Sequence, residues 1–299
     1  MNELVGFVNF HLIPGIVLGS IYALGAIGLT LTFGILRFAN FAHGETMTLG
    51  AFVALVVIEL TNWHVLATLP FAMLMTVLVV LAMDRLFFRP LRSGPTVILL
   101  IASFGLMLMM RSSIQIIWGV ELETLSQGLA IPWILFDNLR IFPKHLLIVG
   151  AALLLMLGVH GLLRHTPIGK AMRAMSDSPE LARMTGIDTE RVVMATWITG
   201  ALLAAAAGVL LAYDTHLDSR MGFRVLLPIF AAALLGGLGR PYGAMAGGLV
   251  IGVAEELSTY SWIGDGPLVS PGYKSGVAFA IMIALLIWRP SGLFRGRVF

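Results

Sequence analysis

Leu12 to Ile35 reads LIPGIVLGSIYALGAIGLTLTFGI and contains no charged side chain. A helix that crosses a bilayer needs about 20 apolar residues, within a range of about 17–25. This run supplies one such helix. Moving outward, the same criterion finds further runs at about 45–61, 65–83, 96–118, 145–163, 191–212, 243–259 and 273–289. Composition agrees: hydrophobic residues make up 58% of the chain and charged residues 12%, about half the usual charged share. A soluble fold with so few charges could not cover its own core with polar surface. The expected fold is all-α: a polytopic membrane helical bundle of eight or nine transmembrane segments, one transmembrane domain over residues 1–299.

The uncertain segment is about 225–238. Fourteen helical residues reach only about 21 Å against a hydrocarbon core of about 30 Å. Pro228 argues against a plain straight helix, and Gly236, Gly237 and Gly239 loosen its end. It reads either as a ninth crossing or as a re-entrant half-helix, which is tolerated where protein or a water-filled cavity covers it.

Several function classes fall away on composition. The chain has no cysteine, which removes disulfides, thiolate catalysis and cysteine-ligated metal. Its seven histidines form no H-x-x-x-H pair, so no metal site is expected. The net charge of +3 is no nucleic-acid footprint, because the charges sit at the ends of apolar runs, where they orient a membrane protein. The opening MNELVGFVNF lacks the basic region and small-residue cleavage site of a signal peptide. The first apolar segment is therefore expected to be retained as an anchor.

With the N-terminus outside and nine crossings, Arg37, Arg85, Arg89, Arg92, Arg164, Lys170, Arg173, Arg183, Arg191, Arg240, Arg289, Arg295 and Arg297 face the cytoplasm. Arg140, Lys144, Arg220, Arg224 and Lys274 face outward. That bias places the C-terminus inside.

The longest polar stretches are 119–144, on the expected outer side, and 164–190, on the inner side. The inner one runs RHTPIGKAMRAMSDSPELARMTGIDTER from Arg164 to Arg191. Asp177 or Ser178 can cap a helix that starts at Pro179, with Glu180 in its first turn and Gly186 as its stop. A helix of about seven residues is marginal in water by itself. It either lies on its own bundle or docks a cytoplasmic partner.

Gly169, Ala171, Arg173, Ala174, Asp177, Pro179, Ala182, Gly186 and Ile187 together resemble the coupling segment of branched-chain amino-acid ABC importer permeases. The run Gly19–Glu45 is similar to the opening of the LivH-type members of that family. So is Ala233–Gly248, ALLGGLGRPYGAMAGG. The resemblance implies a second, LivM-like permease subunit, two cytoplasmic ATPase subunits and an extracytoplasmic substrate-binding protein, in a bacterial inner membrane. It implies an ATPase-coupling role for Gly169, Arg173, Asp177, Pro179, Glu180 and Gly186. The chain has no G-x-x-x-x-G-K-[ST] motif of its own, so ATP is expected on the partner subunits and no cofactor on this chain. It is not expected to be an enzyme. The implied substrates are branched-chain or other hydrophobic amino acids; urea or short amides are the alternative, and an ion-coupled transporter a further one.

Asn40, Phe41, Ala42, His43, Gly44 and Glu45 bring an amide, an imidazole and a carboxylate together between two apolar runs. They read either as a polar turn opening a helix or as a broken-helix element on the transport path. Arg111 lies deep in the fourth run, free to snorkel outward, to pair with Glu59 or Glu255, or to line a polar path. Asn40, His43, Glu45 and Arg111 are the candidate path residues. Glu255 and Glu256 read as a solvated rim. Three G-x-x-x-G pairs, Gly15/Gly19, Gly243/Gly247 and Gly248/Gly252, favour close helix packing. Segments 34–54 and 237–254 share a glycine–arginine–glycine pattern that hints at an internal repeat.

Overall fold

The computed structural model of the chain describes residues 2–125, 131–135, 139–261, 266–289 and 292–293; Arg295 and Arg297 lie outside them. In order come α1 (Asn2–Phe7), a π-helical turn (Val8–Leu12), α2 (Ile13–Leu36), α3 (His43–Thr61) and α4 (Val65–Met83). A second π turn (Asp84–Phe88), α5 (Arg89–Leu91) and α6 (Thr96–Trp118) follow. A short antiparallel hairpin, β1 (Trp133–Leu135) and β2 (Leu139–Ile141), precedes α7 (Pro143–His165). Then come α8 (Pro167–Asp177), α9 (Pro179–Met184), α10 (Thr189–Asp214), α11 (Met221–Gly236) and α12 (Pro241–Leu257). A 3-10 turn (Pro271–Tyr273) leads to α13 (Ser275–Trp288).

Among the described residues six helical rods are long and apolar enough to cross a membrane: Val5–Leu36, His43–Thr61, Val65–Leu91, Thr96–Trp118, Pro143–His165 and Thr189–Asp214. The first is longer than the apolar run that marked it. Ile13 N–H bonds Val8 O across a π turn, so the helix continues through the site where Pro14 withholds a backbone donor.

The core is built on α2, which α10, α11 and α12 enclose. Small residues permit this. A Cβ on Gly252 would overlap the Gly19 backbone, and one on Gly248 the backbone of Ala23. On the other face of α12, Gly247 meets Ala232 and Gly243 meets Gly236. The glycine pairs therefore hold α12 between α2 and α11, with no gap for lipid. By contrast α6 and α7 leave most of their apolar surface uncovered, as helices facing lipid or a second subunit do.

Two helices start inside the bundle. His43, the first residue of α3, bonds Gly25 O and packs on Gly28, which in turn lies against Gly200 near the middle of α10. Gly25 is about 16 Å back along the helix from Leu36. The chain between α2 and α3 thus climbs back into the core before α3 begins. The start of α11 sits at the same height: Gly222 packs on Gly44, and its N–H bonds Thr48 Oγ1 at 3.0 Å. From this meeting point α3 runs to the Asp214 end of α10, where His64 rings Tyr213. The 16 residues of α11, about 24 Å, run the other way. The short segment near 225–238 is a half-helix in this sense.

One end of the bundle is rich in arginine. Arg89 and Arg92 meet Glu190 at the start of α10, and at the same end Gly34, Gly239 and Ser176 cluster where α2, α8 and α11 end. Lys144–Asp214 and Lys274–Glu256 mark the opposite end. Arg220 and Arg224, expected in an outer loop, belong to the N-cap and first turn of α11. They stand exposed at the start of α11, after a connection in which Leu217, Asp218 and Ser219 are buried.

Candidate functional site

The break between α2 and α3 is made by short-range chemistry. Arg37 ends α2 in the left-handed region at φ 59°. Asn40 Oδ1 accepts from Ala42 N–H at 3.1 Å, and Ser103 Oγ of α6 accepts from Phe41 N–H at 3.3 Å and donates to Ala39 O. These bonds satisfy a buried non-helical backbone, the condition under which one is tolerated at membrane depth. Phe38 is clamped by Phe88 and Trp197. His43 Nε2 donates to Gly25 O at 3.0 Å. Its imidazole ties α3 to α2.

Two residues further, Glu45 is fully buried at 0% exposure. Its Oε1 accepts both Nε (3.0 Å) and Nη2 (2.5 Å) of Arg111 on α6, while Oε2 has no partner among the described residues. The Arg111 guanidinium lies 4.4 Å from the centre of the Phe223 ring in the first turn of α11, a cation–π contact. Around it stand Asp218, which pairs with Arg224 and accepts from Arg220 N–H, and Gln115, which donates to Ser219 Oγ at 3.3 Å. The positive N-terminal poles of α3 and α11 meet here, so a buried carboxylate beside them is electrostatically placed. The cluster holds two acids and two arginines, balanced in charge and reaching the surface through Arg224 and Phe223.

The second constellation is at the arginine-rich end. Thr166 caps α8, its Oγ1 accepting from Gly169 N–H at 3.0 Å, and Pro167 opens the helix. Gly169 is buried where a Cβ would overlap Leu162 O and Leu163 of α7. Ser178 Oγ accepts from Leu181 N–H at 3.5 Å, with Pro179 at the first position of α9 and Glu180 in its first turn. Gly186 closes α9 at φ +83°. Arg173, Asp177 and Glu180 face outward. So do two large apolar side chains, Leu181 at 62% and Met184 at 83% exposure.

Residues 12–286 match the family model described as branched-chain amino acid transport system / permease component. The chain belongs to this permease family. It is 33% identical to the high-affinity branched-chain amino acid transport system permease protein LivH of Salmonella typhimurium, covering 98% of this chain and 97% of the relative. It is 33% identical, with the same coverage, to the corresponding BraD protein of Pseudomonas aeruginosa. A probable LivH of Methanocaldococcus jannaschii is 34% identical over 93% of this chain and 90% of its own. This permease is a multi-pass membrane protein.

Within the permease, the four candidate path residues divide. Glu45 and Arg111 form one ion pair, so Arg111 pairs neither with Glu59 nor with Glu255. Asn40 and His43 lie in the same break but hold its backbone and do not touch that pair. Glu255 is no solvated rim: it is 1% exposed and accepts from Tyr22 Oη at 2.9 Å. Glu256 does sit at the helix end, paired with Lys274. The inner stretch holds two helices rather than one, because α8 is stabilised by packing on α7 and α10. Sequence reasoning missed Gln115, Asp218, Ser219 and Arg224. The available signal was the spacing of Arg111 and Gln115, one turn apart on α6.

Proposed function

We propose that this permease forms half of the membrane path of an ATP-driven importer for branched-chain or other hydrophobic amino acids, set in a bacterial inner membrane with its arginine-rich end and C-terminus in the cytoplasm. A second permease subunit of similar fold completes the path. Two ATPase subunits carrying the ATP bind on the cytoplasmic side, and an extracytoplasmic binding protein delivers substrate at the Asp214 end. The membrane lipid covers what remains of α6 and α7. The chain holds no cofactor, performs no hydrolysis and has no nucleic-acid partner.

The observation that carries this reading is the pair α8–α9, with Leu181 and Met184 standing out of the bundle among charged neighbours. Apolar side chains on a short helix outside the hydrocarbon are a docking surface by energy: about 25 cal/mol is gained per Å² of apolar surface covered. Gly169 presses α8 onto α7, and Ser176 lies beside the Gly34–Gly239 contact. A push on α8–α9 is thereby passed to the end of α2 and to the turn preceding α12. That turn also ends α11, whose other end bears Phe223 over Arg111. Motion at the ATPase side thus has a route to the Glu45–Arg111 cluster along α11, which supports an alternating-access cycle. Gly169, Arg173, Asp177, Pro179, Glu180 and Gly186 form the coupling surface; Glu45 and Arg111 border the path, with Asn40 and His43 fixing the break.

Leu181→Asp with Met184→Asp tests it. The ATPase subunits are expected to dissociate on co-purification while the permease remains inserted at normal level. Retained ATPase binding with unchanged uptake overturns the proposal.

A further inference from the structure

A cavity of about 630 Å³ opens at the arginine-rich end between α2, α7, α8 and the start of α12. Its deeper wall is apolar, with Leu31, Ile35, Leu163 and Met172. Its mouth carries Arg164, Arg173 and Arg240, and none of the three has an ion-pair partner among the described residues. Between wall and mouth, Tyr242 Oη and His160 Nδ1 share a hydrogen bond at 2.9 Å. Asp177 also lines the cavity, one acid beside three arginines.

Three arginines line one opening, and each offers a planar fork of donors suited to phosphate oxygens. The apolar wall lies beside α7, whose outward face is largely uncovered, while the cationic rim is formed at the end of α7, on α8 and just before α12. That gradient matches a phospholipid, whose phosphate is at the membrane surface and whose glycerol and first methylenes lie beneath it. Basic pockets between membrane helices bind anionic headgroups on this pattern. The volume lies within the roughly 300–1,000 Å³ of small-molecule sites.

We infer that this cavity binds the phosphate headgroup of an anionic phospholipid, held by Arg164, Arg173 and Arg240, with Tyr242 and His160 at its glycerol side. The lipid would fill the space behind α8 and set how firmly that helix is seated on α7 and α2. The inference takes from the proposed function only the membrane setting; the headgroup site stands whether or not α8–α9 docks an ATPase.

Native mass spectrometry of the full-length permease from mild detergent tests it, with phosphatidylglycerol, phosphatidylcholine or inorganic phosphate added separately. The expected result is a retained phosphatidylglycerol adduct, with neither phosphatidylcholine nor inorganic phosphate competing. Arg164→Gln with Arg240→Gln, both outside the proposed coupling surface, is expected to weaken that adduct about 30-fold. Arg191→Gln, an exposed arginine of the same end already paired with Asp188, is expected to leave it unchanged. Equal retention of phosphatidylcholine, displacement by inorganic phosphate alone, or equal loss in Arg191→Gln each overturns the assignment. Should the double variant misfold, photo-crosslinking of a phosphatidylglycerol analogue to the unaltered permease decides: labelling away from α7, α8 and α12 sinks the proposal.

Discussion

Replacing Arg111 by Gln removes the guanidinium from a carboxylate that has 0% exposure and no other charged partner. A buried charge stripped of its counter-charge costs about 3–5 kcal/mol. Glu45→Gln is the gentler change. The Arg111 side chain is 18% exposed, keeps its place over Phe223, and can still donate to the amide oxygen; the loss is about 1–3 kcal/mol, that of one charged hydrogen bond. Glu45→Gln combined with Arg111→Gln leaves two neutral amides in contact. The double variant should therefore be more stable than Arg111→Gln alone, with a coupling energy of about 2 kcal/mol. Unfolding of the purified permease in mixed detergent–dodecyl sulfate micelles measures all three. Equal costs for the two single changes, adding to the double within about 0.5 kcal/mol, would refute a buried ion pair as the organiser of this site.

Two further expectations follow from packing and from the coupling surface. Gly208→Ala puts a Cβ onto the Met47 carbonyl and should destabilise by about 1–3 kcal/mol as α10 and α3 part, whereas Gly105→Ala in α6 meets open space and should stabilise by about 0.5–1 kcal/mol; the same unfolding assay reads both signs. Joint charge reversal at Arg173, Asp177 and Glu180 should abolish substrate-stimulated ATP hydrolysis in the reconstituted assembly with membrane insertion intact, and unchanged uptake speaks against the coupling role.

What could be read from the residues alone follows from how local each feature is. Helix limits agree with the apolar runs to within a few residues, because water excludes apolar side chains wherever they lie. Ser178, Pro179 and Gly186 were equally readable, since caps and stops depend on immediate neighbours. The α8 helix was legible but went unread: Thr166 and Pro167 open it locally and Lys170, Ala171, Met172, Arg173 and Ala174 favour helix, while its seat on α7 through Gly169 adds packing. Glu45 and Arg111 are 66 residues apart, and nothing in their own surroundings names the partner. Glu255 looked like a rim residue by position along its run, yet α2 carries Tyr22 to it. The close seat of the start of α11 on α3 was also illegible, as the Gly44–Gly222 contact leaves no mark in hydropathy. The glycine pairs announced close packing but could not say which helices would meet.

In the proposed function the Glu45–Arg111 cluster borders a path opened to alternate sides by the coupling helices. The natural absence of cysteine allows a direct measurement with Gln115→Cys in the full reconstituted assembly, probed by a membrane-impermeant thiol reagent from either side. Labelling is expected to switch from one side to the other between the nucleotide-free and ATP-trapped states. Labelling from one side in both states, or from neither, would contradict it.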